Sequence, residues 1–149
     1  MIEVIPFEPE HIMGTTPLMK DAYTVAMCNN IEYLNALKKL GAAYSGFTSD
    51  GICVGAAGVR PINAKTFEGW ALLTEASAGQ TKSIIRAIDL FIKNYFDYDA
   101  ADRFQATVKL NFPQGHRFAK LLGFKPEGIL HSFENGEDFM MYARTNTWL

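Results

Sequence analysis

Residues 111–124 read NFPQGHRFAKLLGF. Pro113 suits the first turn of a helix, because its missing N–H is one of the donors a helix start leaves unpaired and its fixed φ is already helical. Asn111 lies where a cap would accept from free N–H groups. Phe118, Leu121 and Leu122 share one face, and Gly123 is placed as the left-handed residue that ends a helix. The stretch predicts a short helix, and its neighbours predict strands. Before it, RFQATVKL alternates Phe104, Ala106, Val108 and Leu110 against Arg103, Gln105, Thr107 and Lys109, a strand with one buried face. After it, EGILHSF and DFMMYAR flank Asn135-Gly136, a hairpin signal.

Upstream, TKSIIRAIDLFIKNYF (residues 81–96) is the clearest helix. Ile84, Ile85, Ile88, Phe91, Ile92 and Tyr95 make one wide apolar stripe. Residues 66–74, TFEGWALLT, read as a strand whose apolar end implies burial on both faces. Residues 43–60 read as two strands around Asp50-Gly51. Residues 19–40 are helical with a break near Asn29 and Asn30. The second piece places Ile31, Leu34, Leu37 and Leu40 on one face before Gly41. IEVIPF starts the chain as a short strand that turns at EPEH into a helix. The order β-α-α-β-β-β-α-β-α-β-β describes a mixed α/β or α+β domain around one sheet.

The composition of the 149 residues is that of an ordinary globular chain, with 48% hydrophobic and 20% charged residues. A net charge of −2 supplies no basic field, so nucleic acid is not an expected partner. No apolar run approaches a membrane span, and the acidic, alternating N-terminus does not resemble a signal peptide. Cys28 and Cys53 lack CxxC spacing and read as free thiols of a reducing compartment. Their apolar surroundings make inert thiols the plainer reading. His11 and His131 are too isolated for a metal site, and no nucleophile motif such as GxSxG is present.

With this element order and a short helix ending in LLGF, nearly the whole chain resembles the Gcn5-related N-acetyltransferase (GNAT) superfamily. More closely, FPQGHRFAKLLGFKPEGILHSFENGEDFMMYAR, residues 112–144, resembles GNAT-like proteins of tailed bacteriophages, some described as internal virion proteins. The resemblance implies one α/β (α+β) domain over residues 1–149. Its central sheet would be mixed and mostly antiparallel, with about six or seven strands and about four flanking helices. It implies acetyl-CoA as co-substrate and a small-molecule or protein amine as acceptor, and it is compatible with a homodimer. It also implies a cytoplasmic location, that of the host cell for a phage-encoded chain, or a place in the virion.

The resemblance puts the cofactor at the junction LLTEASAGQTK, residues 72–82. The strand backbone around Leu72, Leu73 and Thr74 would polarise the thioester carbonyl. Gly79, Gln80, Thr81 and Lys82 would meet the diphosphate, since a helix start concentrates unpaired N–H donors and partial positive charge. Lys82 and Arg86 sit one turn apart with no acid in the first turn, the wrong sign for the helix alone and the right sign for a bound phosphate. The plainer reading is two solvated cations with Glu75 or Asp89 as partners. The family loop has the form Gln/Arg-x-x-Gly-x-Gly/Ala, whereas EASAGQTK supplies only Gly79.

Downstream, Asn111 and Arg117 are further cofactor candidates, Arg117 equally suited to strand carbonyls. Glu68 is the acidic candidate for general base, and His116 could be base or acid near neutral pH. As plain residues, Glu68 is an exposed charge and His116 a surface side chain in the first turn of a helix. Trp70 reads as core. Many relatives carry a proton-donating tyrosine four residues before the Gly-Phe pair, and this chain has Ala119 there. Two readings follow: an acyl-CoA-dependent N-acyltransferase, and a phage structural or host-interaction protein that keeps the fold without the chemistry.

Overall fold

The computed structural model describes residues 1–147. Its strands are β1 (Glu3–Pro6), β2 (Ala43–Phe47), β3 (Cys53–Asn63), β4 (Thr66–Leu73), β5 (Arg103–Lys109), β6 (Lys125–Glu134) and β7 (Glu137–Thr145). Its α-helices are α1 (Ala22–Cys28), α2 (Ile31–Leu40), α3 (Thr81–Asp97) and α4 (Pro113–Leu121). Single 3-10 turns span Pro9–His11 and Glu75–Ser77, the first in place of the helix expected after β1. The strands form a seven-stranded sheet in the order β1-β2-β3-β4-β5-β7-β6. β4 and β5 are parallel, while β1–β2, β2–β3, β5–β7 and β6–β7 are antiparallel. This is the mixed α+β architecture that the sequence pattern implies.

Residues 1–60 and 69–86 form one compact unit, and residues 61–68 and 87–149 form a second. In the first, two asparagines divide the helical segment. Asn29 is the C-cap of α1, and the Asn30 side chain accepts from the amides of Glu32 and Tyr33 at 3.1 Å to start α2. Asp21 caps α1 through the Thr24 amide. Phe7, Ile12, Cys28, Leu34, Leu37 and Ala56 make the buried core, with Trp70 and Leu72 packed against it. Ile31 and Leu40 are exposed, so only the central pair of the expected α2 stripe is covered. β4 is half-buried along nearly its whole length, with Ala71 exposed, rather than buried on both faces.

In the second unit an aromatic cluster of Phe67, Phe91, Tyr95, Phe96 and Phe104 joins α3 to β4 and β5. α4 follows β5 as expected, with three corrections. The N-cap is Phe112, with no side-chain cap bond, and the exposed Asn111 lies one residue outside. The start is closed instead by the amides of Gly115 and His116 donating to the Phe112 carbonyl. Leu110 is exposed in the turn after β5, and its amide donates to Asp138 O at 2.9 Å. Leu121 is 56% exposed, whereas Ala119, Leu122 and Phe124 are buried.

Gly115 lies where α4 approaches β5. A Cβ there would lie 2.6 Å from both Val108 Cγ1 and Phe112 Cδ2. The absent side chain lets the first turn of α4 settle against Val108 of β5, and the buried positions that follow are Ala119 and Leu122, with Leu121 turned to solvent. Arg144 closes the other end of α4. Its Nη1 donates to Leu122 O and to Asp89 Oδ1, both at 2.8 Å, and its guanidinium lies 5.8 Å from the Phe96 ring centre.

Candidate functional site

All the expected site residues but Glu68, which lies near the start of β4, fall at two strand-to-helix junctions, one in each unit. At the first, β4 ends at Leu73, and Thr74 turns the chain. The Thr74 amide donates to Val54 O, its hydroxyl donates to Cys53 O at 2.8 Å, and the same hydroxyl accepts from the Ala76 amide. Gly79, at φ 80°, leads into α3, and Gln80 O accepts its first bond, from the Ile84 amide. Among the described residues, the amides of Thr81, Lys82 and Ser83 have no acceptor, the ordinary consequence of a helix start. Lys82 and Arg86 are exposed, and among the described residues neither makes an ion pair or a side-chain hydrogen bond. Their supposed partners are engaged elsewhere, Glu75 with Lys20 and Asp89 with Lys93 and Arg144. Three unpaired amides and two exposed cations around one helix start make an arrangement that favours an anion.

One feature of this junction has no sequence signal. Residues 16–18 run beside the end of β4. The Leu18 amide donates to Leu73 O at 2.8 Å, the Glu75 amide donates to Thr16 O at 2.9 Å, and Pro17 forms an antiparallel bridge with Thr74. The Leu73 carbonyl and the Glu75 amide are therefore satisfied within the chain.

At the second junction, His116 sits in the first turn of α4 with both ring nitrogens engaged. Nε2 lies 2.9 Å from Leu110 O, which can only accept, so Nε2 carries the proton. In the neutral ring Nδ1 then accepts from the Tyr142 hydroxyl at 2.7 Å. Burial pushes the Tyr142 phenol above its ordinary range. The Arg117 side chain is exposed and has no hydrogen bond or ion pair among the described residues, and the Ala119 carbonyl accepts from the Phe124 amide.

Glu68 belongs to a polar chain on the sheet face opposite Phe67 and Phe104. Arg103 holds Glu127 with two bonds, at 2.6 and 3.0 Å, and its Nε donates to Gln105 Oε1 at 3.0 Å. That bond fixes the Gln105 amide, so its Nε2 donates to Glu68 Oε2 at 3.2 Å. The hydrogen bond from Arg103 holds the Glu127 carboxyl below its usual value. Sequence alternation places Arg103 and Gln105 on one face, and Glu68 reads as an exposed charge, so nothing local marks a connected chain.

No group of three or more His, Cys, Asp or Glu side chains among the described residues has the geometry to hold a metal ion. Burial raises the thiols of Cys28 and Cys53, which favours the protonated form. No helix of the described residues is long and apolar enough to cross a membrane.

No protein-family model and no curated protein matches the sequence. Solved structures do match. A GNAT-family acetyltransferase from Bacillus anthracis superposes with TM-score 0.74 at 14% identity, covering 98% of this chain and 95% of that one. A ribosomal-protein alpha-N-acetyltransferase in complex with coenzyme A gives TM-score 0.71 at 17% identity, with 97% and 93% covered. A spermidine N-acetyltransferase chimera containing the Vibrio cholerae enzyme gives 0.68 at 16% identity, with 98% and 96% covered. At these identities the likeness concerns architecture, and it runs the length of the chain: this protein has the fold of the GNAT acetyltransferases.

Proposed function

We propose that residues 1–149 act as one acyl-CoA-dependent N-acyltransferase domain. The observation that carries this is the start of α3, where unpaired amides of Thr81–Ser83 meet the unpaired cations Lys82 and Arg86. Acetyl-CoA fits it, with the diphosphate at Gly79, Gln80, Thr81 and Lys82 and the thioester near Leu72, Leu73 and Thr74. Asn111 and Arg117 are the further cofactor contacts of the proposal. The fold is that of a structure holding coenzyme A.

Transfer is direct. The acceptor amine nitrogen bonds to the acyl carbon, the C–S bond breaks, coenzyme A leaves as thiolate, and the second proton shed by the nitrogen passes to solvent. A general base first takes a proton from the incoming ammonium. Glu68 is assigned that part, because Gln105 aims an N–H at one of its oxygens and orients the carboxylate. His116 is the alternative base or acid. Its bridged ring suits it better to holding Tyr142 and the α4 start. Ala119 offers no proton to the departing sulfur. A free thiol has a pKa of about 8.5, so a thiolate leaves without an acid, at a rate lowered by the roughly 10²–10⁴-fold typical of general acid–base help. The acceptor is an amine, and the neighbouring folds include enzymes named for spermidine and for a ribosomal protein.

A second reading is a GNAT-fold protein without chemistry, in a structural or host-interaction role. It is favoured by the Thr16–Leu18 segment filling the end of β4. A bacteriophage source and a place in the virion are supported by the sequence of residues 112–144 alone.

Thermal unfolding with acetyl-CoA separates the two. A ligand at a hundredfold excess over its Kd adds about 2.7 kcal/mol to native stability. No rise at millimolar acetyl-CoA sinks the enzyme reading. Where a rise occurs, thiol release with spermidine and with peptide N-termini, lost in Glu68→Gln, establishes transfer.

A further inference from the structure

The end of β4 is covered by the chain's own residues, and that cover is lightly held. The Thr74 amide points to Val54 on β3, so by strand alternation the Leu73 carbonyl lies on the edge turned away from β3. Thr16 and Leu18 pair with that edge at Glu75 and Leu73. The segment is tied at both ends. On one side is Ile12, which is fully buried and whose carbonyl accepts from the Thr15 hydroxyl. On the other is Asp21, the cap of α1. Between them only Pro17 is buried, and Thr16 and Lys20 are exposed. The Lys20–Glu75 ion pair is at least half-exposed on both sides, the kind that holds little. Gly14, at φ 77° with nothing within 4 Å of where its Cβ would be, supplies a pivot open to rotation.

An extended ligand bearing amides can take the same positions on a strand edge, as an added strand does. The free amides of Thr81–Ser83 follow a few residues on in the same unit. The ligand that suits both features carries amides next to a diphosphate. We propose that residues 14–20 are an autoinhibitory strap, which must leave Leu73 and Glu75 before an acyl-CoA arm can pair there. This rests on the acyl-CoA reading above. The strap makes binding conditional: apparent affinity is the intrinsic affinity reduced by the fraction of molecules with the strap released.

Coenzyme A itself is the probe. Amide hydrogen exchange by NMR reports the strap through the Leu18 N–H, and calorimetry reports affinity. With coenzyme A bound, Leu18 exchange should accelerate. Pro17→Gly, which removes the buried ring and loosens the segment, should tighten coenzyme A binding by about fivefold or more. Lys20→Ala, a surface change that leaves the fold intact, should shift affinity the same way by less. Coenzyme A bound with Leu18 still protected overturns the strap and leaves the acyl-CoA reading standing. Unchanged affinity in both variants does the same. No binding by wild type or by either variant at millimolar coenzyme A overturns both.

Discussion

The two strand-to-helix junctions differ in how much of their polar chemistry is used. At β5–α4 almost every group has a partner: His116 bridges Leu110 and Tyr142, Arg144 ties Leu122 to Asp89, and Gly115 lets helix and strand touch. At β4–α3 two cations and three amides stand without partners among the described residues, and the strand edge is covered by Thr16–Leu18. One junction is internally satisfied, and the other is where the proposed acyl-CoA site lies. Substitutions at the first should therefore cost stability, and substitutions at the second should cost binding.

The largest effect belongs to Arg144. Only 8% of its side chain is exposed, and Arg144→Leu leaves Leu122 O and Asp89 Oδ1 without that donor, with Lys93 still holding Asp89 Oδ2. Removing one member of a buried pair costs about 3–5 kcal/mol, and a chain of this size loses on the order of 10 °C in Tm. The pair also sets a pH dependence. Burial alone would raise the Asp89 carboxyl, but hydrogen bonds from Lys93 and Arg144, with their charges, outweigh it and hold it below 3.8. A carboxylate lowered in the folded state adds stability in full above its unfolded value, and that stability is lost as pH falls through the folded value. Denaturant titrations below about pH 4 should show this loss, and Asp89→Asn should flatten it. An unaltered acid limb in Asp89→Asn removes the pair from the account.

A smaller loss is expected at His116. His116→Ala strands the Tyr142 hydroxyl, on a residue 2% exposed, without an acceptor. An unsatisfied buried donor costs about 1–3 kcal/mol. Tyr142→Phe should cost less, since His116 is only half-buried, and the double variant should cost less than the sum. Strict additivity in urea unfolding would mean the bond is not formed. Gly115→Ala comes next. Crowding Val108 and Phe112 costs roughly 1–3 kcal/mol, and up to about 1 kcal/mol returns as helix propensity. A net loss near 1 kcal/mol is expected, and a stabilised variant would show that α4 does not sit tightly on β5.

The same contrast decides what was legible in the sequence. Elements defined by local chemistry read correctly: the Asn29-Asn30 break, the turns at Asp50-Gly51 and Asn135-Gly136, and the Pro-start, Gly-stop helix. Features that depend on register or close approach did not. Arg144 reads as a charge at a strand end, because nothing local says that β7 places it over Phe96. Tyr142 and His116 meet only through the packing of α4. Leu121 was placed on the wrong side because the helix period alone cannot show that Ala119 and Leu122 are the buried positions. Asn111 missed the cap by one residue, since the backbone of Phe112 and not side-chain preference sets where the helix begins. At the β4–α3 junction the cations and small residues were visible, but Thr16–Leu18 carries no strand pattern and gave no sign of covering Leu73. Gln105 reads as part of a solvated stripe and Glu68 as an exposed charge, so their hydrogen bond was not readable either.

The smallest effect on stability is expected from Lys82→Glu, and it is the sharpest test of the contrast. Lys82 has no partner to lose, and an acid in the first turn of α3 suits the helix dipole. The unfolding free energy should stay within about 0.5 kcal/mol of wild type or rise slightly. Coenzyme A affinity should fall by about tenfold or more, since a cation facing the diphosphate becomes an anion. The fall should shrink as ionic strength rises, because the site is exposed and its charges are screened. Equal affinity in Lys82→Glu and wild type would move the diphosphate away from the start of α3. A loss of stability as large as that at His116 would erase the distinction between the two junctions, because it would mean that Lys82 is a structural residue.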